Sequence, residues 1–119
     1  MGTKELGRWG ESRAANYLRL RGYRILDMNY SCRFGEIDII ARKRKYIVFI
    51  EVKLRKSADF AAAREFVTAA KQRRIISTAQ IYLMENECDL QPRFDVIEIY
   101  APEGMDGKIS VEHIEDAFQ

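Results

Sequence analysis

This chain of 119 residues contains one histidine, one tryptophan and two cysteines. The single histidine, His113, lies near the C-terminus, so neither a histidine-based triad nor a zinc cluster is expected. Cys32 and Cys88 are far apart and form no Cys-x-x-Cys pattern. Free thiols in a reducing compartment are the expectation, not a disulfide framework. No apolar run approaches the roughly 20 residues that cross a bilayer. The first ten residues are polar and lack the apolar core of a signal peptide. The expected setting is therefore the cytoplasm, with no membrane partner. Repeats, linkers and low-complexity segments are also lacking, so one compact domain over residues 1–119 is expected.

What the chain does have is charge, unevenly placed. The net charge is only +2, from 20 Lys and Arg against 18 Asp and Glu. Residues 1–92 carry 18 basic and 11 acidic side chains, whereas residues 93–119 carry 2 and 7. The basic excess gathers at 42–45, 53–56 and 71–74, a pattern suited to a polyanion. Each cluster taken singly also fits a solvated turn or helix face.

Periodicity gives the order of elements. Leu6, Gly10, Ala14, Tyr17 and Leu18 recur at helical spacing, so residues 3–21 read as a helix, with Thr3 able to cap its start and Gly22 suited to the left-handed position after its end. Residues 23–32 are rich in strand formers but shift phase near Ile25 and Leu26, which predicts a bulge or bend. A turn at 33–35 leads into strands over 36–43 and 46–54, joined by a basic hairpin. A loop with a short helical piece near 61–65 fills 55–68. Thr68 then caps a helix over 69–87, with Ile75, Thr78, Ala79, Tyr82 and Leu83 inward. Strands follow at 94–100 and, after a turn at 102–107, at 108–114. The fold class is α/β, in the order α-β-β-β-α-β(-β). Tyr23, Tyr30, Phe34, Phe49, Tyr82 and Phe94 read as core, and Trp9 and Tyr46 as core or rim packing, with base stacking the alternative.

The chemistry concentrates in Gly35-Glu36-Ile37-Asp38-Ile39-Ile40-Ala41 and Phe49-Ile50-Glu51-Val52-Lys53. Side chains alternate along a strand. A two-residue loop at Arg44-Lys45 sets 43 opposite 46, and hence 38 opposite 51. Glu36, Asp38, Glu51 and Lys53 then share one face, with Ile37, Ile39, Ile50 and Val52 on the other. Two carboxylates about 5 Å apart repel by about 3 kcal/mol at an effective dielectric near 20. Such a pair needs a proton, a cation or a metal between its members. Asp38 and Glu51 are candidate ligands for a hard cation such as Mg²⁺ or Mn²⁺, with Lys53 placed to orient or deprotonate water or to neutralise phosphate. The plainer alternative is a cross-strand salt bridge from Lys53 to Asp38. Glu11 lies on the small, apolar side of the first helix, as a further metal-site acid or as an acid favouring the helix dipole. Lys71 and Arg74, three apart on the second long helix, can reach a phosphate. Arg55 and Arg33 can join that rim, or make surface ion pairs. Asp95 reads as the partner of a nearby Arg.

At these residues the chain resembles the bacterial YraN-like family. The resemblance rests on Gly7-x-x-Gly10-Glu11 with Ala14-Ala15-x-Tyr17-Leu18, Gly22-Tyr23-x-Ile25-Leu26-x-x-Asn29-Tyr30, the two charged strand motifs running on to Arg55, Lys71-Gln72-Arg73-Arg74 and Arg93-Phe94-Asp95-Val96. It runs from about Gly7 to Tyr100. It implies a restriction-endonuclease-like fold, similar to Holliday junction resolvases and the tRNA-endonuclease-like domain, with a mixed central sheet flanked by helices. On that pattern Asp38, Glu51 and Lys53 match a nuclease core, and Glu11 matches a first-helix acid. The family has no assigned reaction, and fold alone lends none. A metal-dependent endonuclease on structured DNA, acting as a homodimer with two-fold symmetry, is the leading expectation. A non-catalytic nucleic-acid-binding module and a protein–protein adaptor are the alternatives.

Overall fold

A computed structural model describes residues 3–55 and 67–119. The elements are α1 (Thr3–Leu20), β1 (Arg24–Cys32), β2 (Gly35–Lys43), β3 (Tyr46–Arg55), α2 (Ala69–Glu85), β4 (Gln91–Tyr100) and β5 (Ser110–Phe118), with a 3₁₀ turn at Gly104–Asp106 before β5. The five strands form one sheet in the order β1-β2-β3-β4-β5. β3 and β4 run parallel and the other neighbouring pairs antiparallel. A parallel pair needs a long crossover, and α2 lies within it. The sheet is mixed and helix-flanked, the layout expected of the restriction-endonuclease-like class. The short helix expected near 61–65 lies outside the described residues.

Local signals explain the boundaries. At the end of α1, Leu18 O accepts from the backbone N–H of both Arg21 and Tyr23, and Gly22 takes φ +88°. That is the left-handed closure for which glycine is suited. Thr68 caps α2 by accepting from Lys71 N at 3.2 Å. The phase shift in β1 is a register shift between Ile25 and Asp27 against β2. The hairpin joining β2 to β3 pairs Lys43 with Tyr46, so its loop is the two residues expected.

Two apolar layers hold the helices to the sheet. On one face, Ala14, Ala15 and Leu18 of α1 pack on Ile39, Ala41, Val48, Ile50, Ile97 and Ile99. On the other, Ile75, Ala79 and Tyr82 of α2 pack on Ile37, Ile40, Ile47, Phe49 and Val96. This second layer contains an aromatic chain. Phe49 stacks on Phe94 at 5.5 Å, and Phe94 stacks on Phe118 at 5.3 Å. Tyr82 meets the rings of Phe49 and Tyr30 edge-on. A strand such as β3, buried on both faces, therefore reads as a nearly continuous apolar run, and a charge within it stands out.

One expectation of strand parity fails. Ile37 packs beneath α2, whereas Ile39, two residues on, packs beneath α1. Their partners on β1, Tyr30 and Met28, make the same exchange of faces. Between those partners Asn29 has φ 55°, a left-handed conformation that asparagine tolerates. The pairing of β2 with β3 also ends at Ile39 opposite Ile50. The hairpin of β1 and β2 thus twists away from β3 at the level of Asp38.

Candidate active site

The departure of β2 from β3 shapes the site. Past Ile39 the backbone ladder between the two strands stops. The Asp38 carboxylate takes over, accepting from Val52 N at 2.8 Å through Oδ2. Asp38 thereby reaches β3 beside Glu51. Gly35, Glu36, Asp38, Glu51, Lys71, Arg74 and Ile75 line a cavity of about 260 Å³ between the β2–β3 end and α2. Glu36, Asp38 and Glu51 share this cavity, as parity predicts; Lys53, expected with them, is not among its lining residues, and Ile37 is the exception described above.

Charge in the cavity is tightly balanced. Glu51 is 6% exposed and ion-paired through Oε2 with Lys71 Nζ. Asp38 is half-buried. Burial pushes the Asp38 carboxyl up to about 9, and the hydrogen bond and charge of Glu51 push the same way. Burial also opposes ionisation of Glu51, but the hydrogen bond from Asp38 and the pairing with Lys71 outweigh it, so Glu51 moves down. The pair therefore holds one proton, on Asp38, and one negative charge, on Glu51.

Lys53 does not bridge to Asp38 as the plainer reading would have it. It is half-buried beside Lys71, and burial, then the Lys71 charge, lower its affinity for a proton despite Glu51 and Asp38. Lys71 moves the other way: burial opposes its charge, but the hydrogen bond and charge of Glu51 raise it. The two lysines divide the work, one as the firm counter-ion of Glu51 and the other as an amine more readily deprotonated than usual.

The remaining candidates separate. Arg74 lines the cavity with Lys71. Arg55 does not line it; its Nε donates to Glu98 Oε2 at 3.2 Å. Arg33 sits at the β1–β2 turn with its guanidinium 4.9 Å from the Phe34 ring centre. Glu11 is half-buried on α1, and its charge adds to the rise at Asp38. It does not complete a cage: among the described residues, no group of three or more His, Cys, Asp or Glu is placed to hold a metal ion. The donor set that does converge is two carboxylates. That fits Mg²⁺ or Mn²⁺, which keep several waters and take one or two carboxylates. Asp95 pairs with Arg93, as read from sequence.

Lys71, expected at a phosphate, is ion-paired with Glu51 at the cavity. Phe34, expected in the core, is 39% exposed. The available signal for Phe34 was its place between Arg33 and Gly35, in a turn rather than within a strand.

Comparison with known proteins supplies a family. Residues 10–99 match the uncharacterised protein family UPF0102. A UPF0102 protein of Syntrophotalea carbinolica is 47% identical over 114 residues, covering 95% of this chain and 90% of that protein. One from Caldanaerobacter subterraneus subsp. tengcongensis is 45% identical over 117 residues, covering 97% and 95%. One from Flavobacterium psychrophilum is 39% identical over 114 residues, covering 96% and 93%.

Proposed function

The chain belongs to the uncharacterised protein family UPF0102, and from that premise and the site geometry we propose that it is a metal-dependent nuclease. Its reaction is phosphodiester hydrolysis in structured nucleic acid, DNA in the first instance. The observation that carries this reading is the juxtaposition of Asp38 and buried Glu51 on the floor of a cavity rimmed by Lys71 and Arg74. A fold gains no stability from two adjoining acids that must hold a proton or a cation, and such pairs mark functional sites.

Asp38 and Glu51 would hold the divalent cation. When bound, it supplies Lewis-acid stabilisation of the phosphoryl oxygens and makes water more acidic. The chain's own residues do the rest. Lys53, whose proton is made easier to lose than usual by burial and the Lys71 charge, would accept the proton of the attacking water at Nζ. Arg74 donates to non-bridging oxygens of the phosphate, and Lys71 joins it once released from Glu51. Val52 N–H fixes the Asp38 carboxyl so that its other oxygen can face the cavity.

The ion pair between Lys71 and Glu51 favours a second reading. It balances the Glu51 charge without any metal, as a purely nucleic-acid-binding module would require. One assay separates the two: labelled branched, flapped, single-stranded and duplex DNA and RNA, incubated with Mg²⁺ or Mn²⁺. The nuclease cleaves at least one of these, and Glu51→Gln and Lys53→Ala abolish cleavage while remaining folded. Salt-sensitive binding with no metal-dependent cleavage of any substrate would establish the binding module instead.

A further inference from the structure

The turn between β1 and β2 is anchored on α2. Gly35 has φ +154°, and a Cβ there would lie 3.3 Å from Thr78 Oγ1 and 3.5 Å from Arg74 Cβ, so the turn is pressed against α2. The Cys32 thiol lies 3.7 Å from the Thr78 hydroxyl. Phe34 N donates to Cys32 Sγ at 3.4 Å. Thr78 is fully buried and its hydroxyl donates to Arg74 O at 2.8 Å. A turn fixed this firmly could bury its one aromatic ring, yet Phe34 remains 39% exposed.

Around that ring the surface is cationic. Phe34, Ala70, Arg73, Arg74 and Ser77 line a concavity of about 280 Å³. The Arg33 guanidinium stands over the ring. Arg74 also lines the cavity that contains Asp38 and Glu51, and Gly35, next to Phe34 in sequence, lines it too. The two concavities thus meet at Arg74 and the β1–β2 turn. An exposed ring among arginines suits a flat, uncharged π surface that carries negative charge beside it, which describes a nucleobase on its phosphate. An apolar protein segment would gain from the ring but would leave three guanidinium groups without acceptors. Bases in a duplex are already stacked on both sides. A base available to Phe34 is therefore an unpaired one.

We propose that Phe34 is a stacking platform for an unpaired nucleobase next to the scissile phosphate, with Arg33 and Arg73 holding the adjoining backbone. The substrate class is then a nucleic acid with a single-stranded segment at the cut site, such as a flap, a fork or an open branch. This rests on the proposed nuclease reading for its substrate, but its test needs no cleavage.

Fluorescence anisotropy in EDTA at low ionic strength would compare a labelled oligothymidylate about 12 nucleotides long with a blunt duplex about 20 base pairs long. Phe34→Ala should weaken oligothymidylate binding about tenfold and change duplex binding by less than about twofold. Phe34→Trp should restore binding, and its extra emission over the wild type, whose single tryptophan is Trp9, should be quenched by oligothymidylate and not by duplex. Equal losses on both polymers, no loss on either, or an unquenched Trp would overturn the platform and leave the nucleic-acid reading standing. Binding of neither polymer by the wild type would overturn both.

Discussion

Asp38→Asn should make the metal-free protein more stable while nearly abolishing its cleavage activity. Folding holds the Asp38 carboxyl protonated to about pH 9, chiefly by burial and then by Glu51. In the unfolded chain the same group ionises near 3.8. A pKa raised by folding contributes stability below the unfolded value, and that contribution is lost as pH rises through the folded one. Between about pH 4 and pH 9 wild-type stability therefore carries a downward slope from this residue. Asparagine removes the slope and keeps the geometry. Its carbonyl oxygen still accepts from Val52 N, and its amide donates to Glu51 as the protonated acid did. The gain at pH 7 should be about 1–3 kcal/mol, discounted for the solvent that a half-buried carboxyl retains. That corresponds to a melting temperature higher by about 4–10 °C. The gap between variant and wild type should widen from pH 5 to pH 8. Glu51 acts in the opposite sense and at lower pH: its lowered pKa contributes stability above the unfolded value that is lost on acidification. Cleavage by the variant should fall about a thousandfold. Thermal melts at a series of pH values check the first part; a variant that melts at or below the wild type throughout would show that Asp38 is not held protonated at a cost to folding.

Asp95→Ala should produce the largest loss of stability of any single change outside the apolar layers. Asp95 is fully buried. Its Oδ1 accepts from Arg93 Nε at 2.9 Å and from Asp116 N at 3.0 Å. Its Oδ2 accepts from the other side of the Arg93 guanidinium at 2.8 Å, and His113 Nε2 lies 2.7 Å away. Burial opposes its ionisation, but His113, Arg93 and the Asp116 N–H outweigh this and bring the carboxyl down. An ionised carboxylate only accepts, so His113 Nε2 carries the proton of that hydrogen bond. Arg93 is largely buried as well, and it also donates to the Tyr23 hydroxyl at 2.6 Å. Removing Asp95 leaves the His113 imidazole N–H and the Asp116 backbone N–H without their acceptor, and leaves the Arg93 guanidinium the Tyr23 hydroxyl and the exposed Glu115 as its polar partners. Breaking one side of such a buried pair costs about 3–5 kcal/mol. Asp95→Asn keeps one acceptor and should cost less. Denaturant unfolding of the three proteins measures the order; a loss under about 1 kcal/mol for Asp95→Ala would mean that water replaces the carboxylate in the network.

Much of this protein was legible before its structure. The order of elements follows from periodicity, the α2 cap from Thr68, the bulge in β1 from its broken alternation and the two-residue hairpin from Arg44-Lys45. Hairpin parity points Asp38 toward Glu51, and the bond from Val52 N to Asp38 completes their approach where the strand pairing has ended. What was not legible depends on long-range geometry. The face change at Ile37 comes from a left-handed Asn29 and from the end of β2–β3 pairing, neither of which alternation encodes. Lys71 lies 20 residues after Glu51 in the chain, so its ion pair is set by how α2 docks on the sheet. Phe34 is a residue type common in cores, and its exposure depends on how the β1–β2 turn seats on α2.

We propose that Asp38 and Glu51 together hold a divalent cation. Calorimetric titration of Mn²⁺ into the wild type, Glu51→Gln and Lys71→Met tests it directly. Saturable binding to the wild type, weakened about tenfold or more by Glu51→Gln and strengthened by Lys71→Met as the competing ammonium is removed, is the predicted result. No heat from either the wild type or Lys71→Met, or equal affinity in all three proteins, would contradict it.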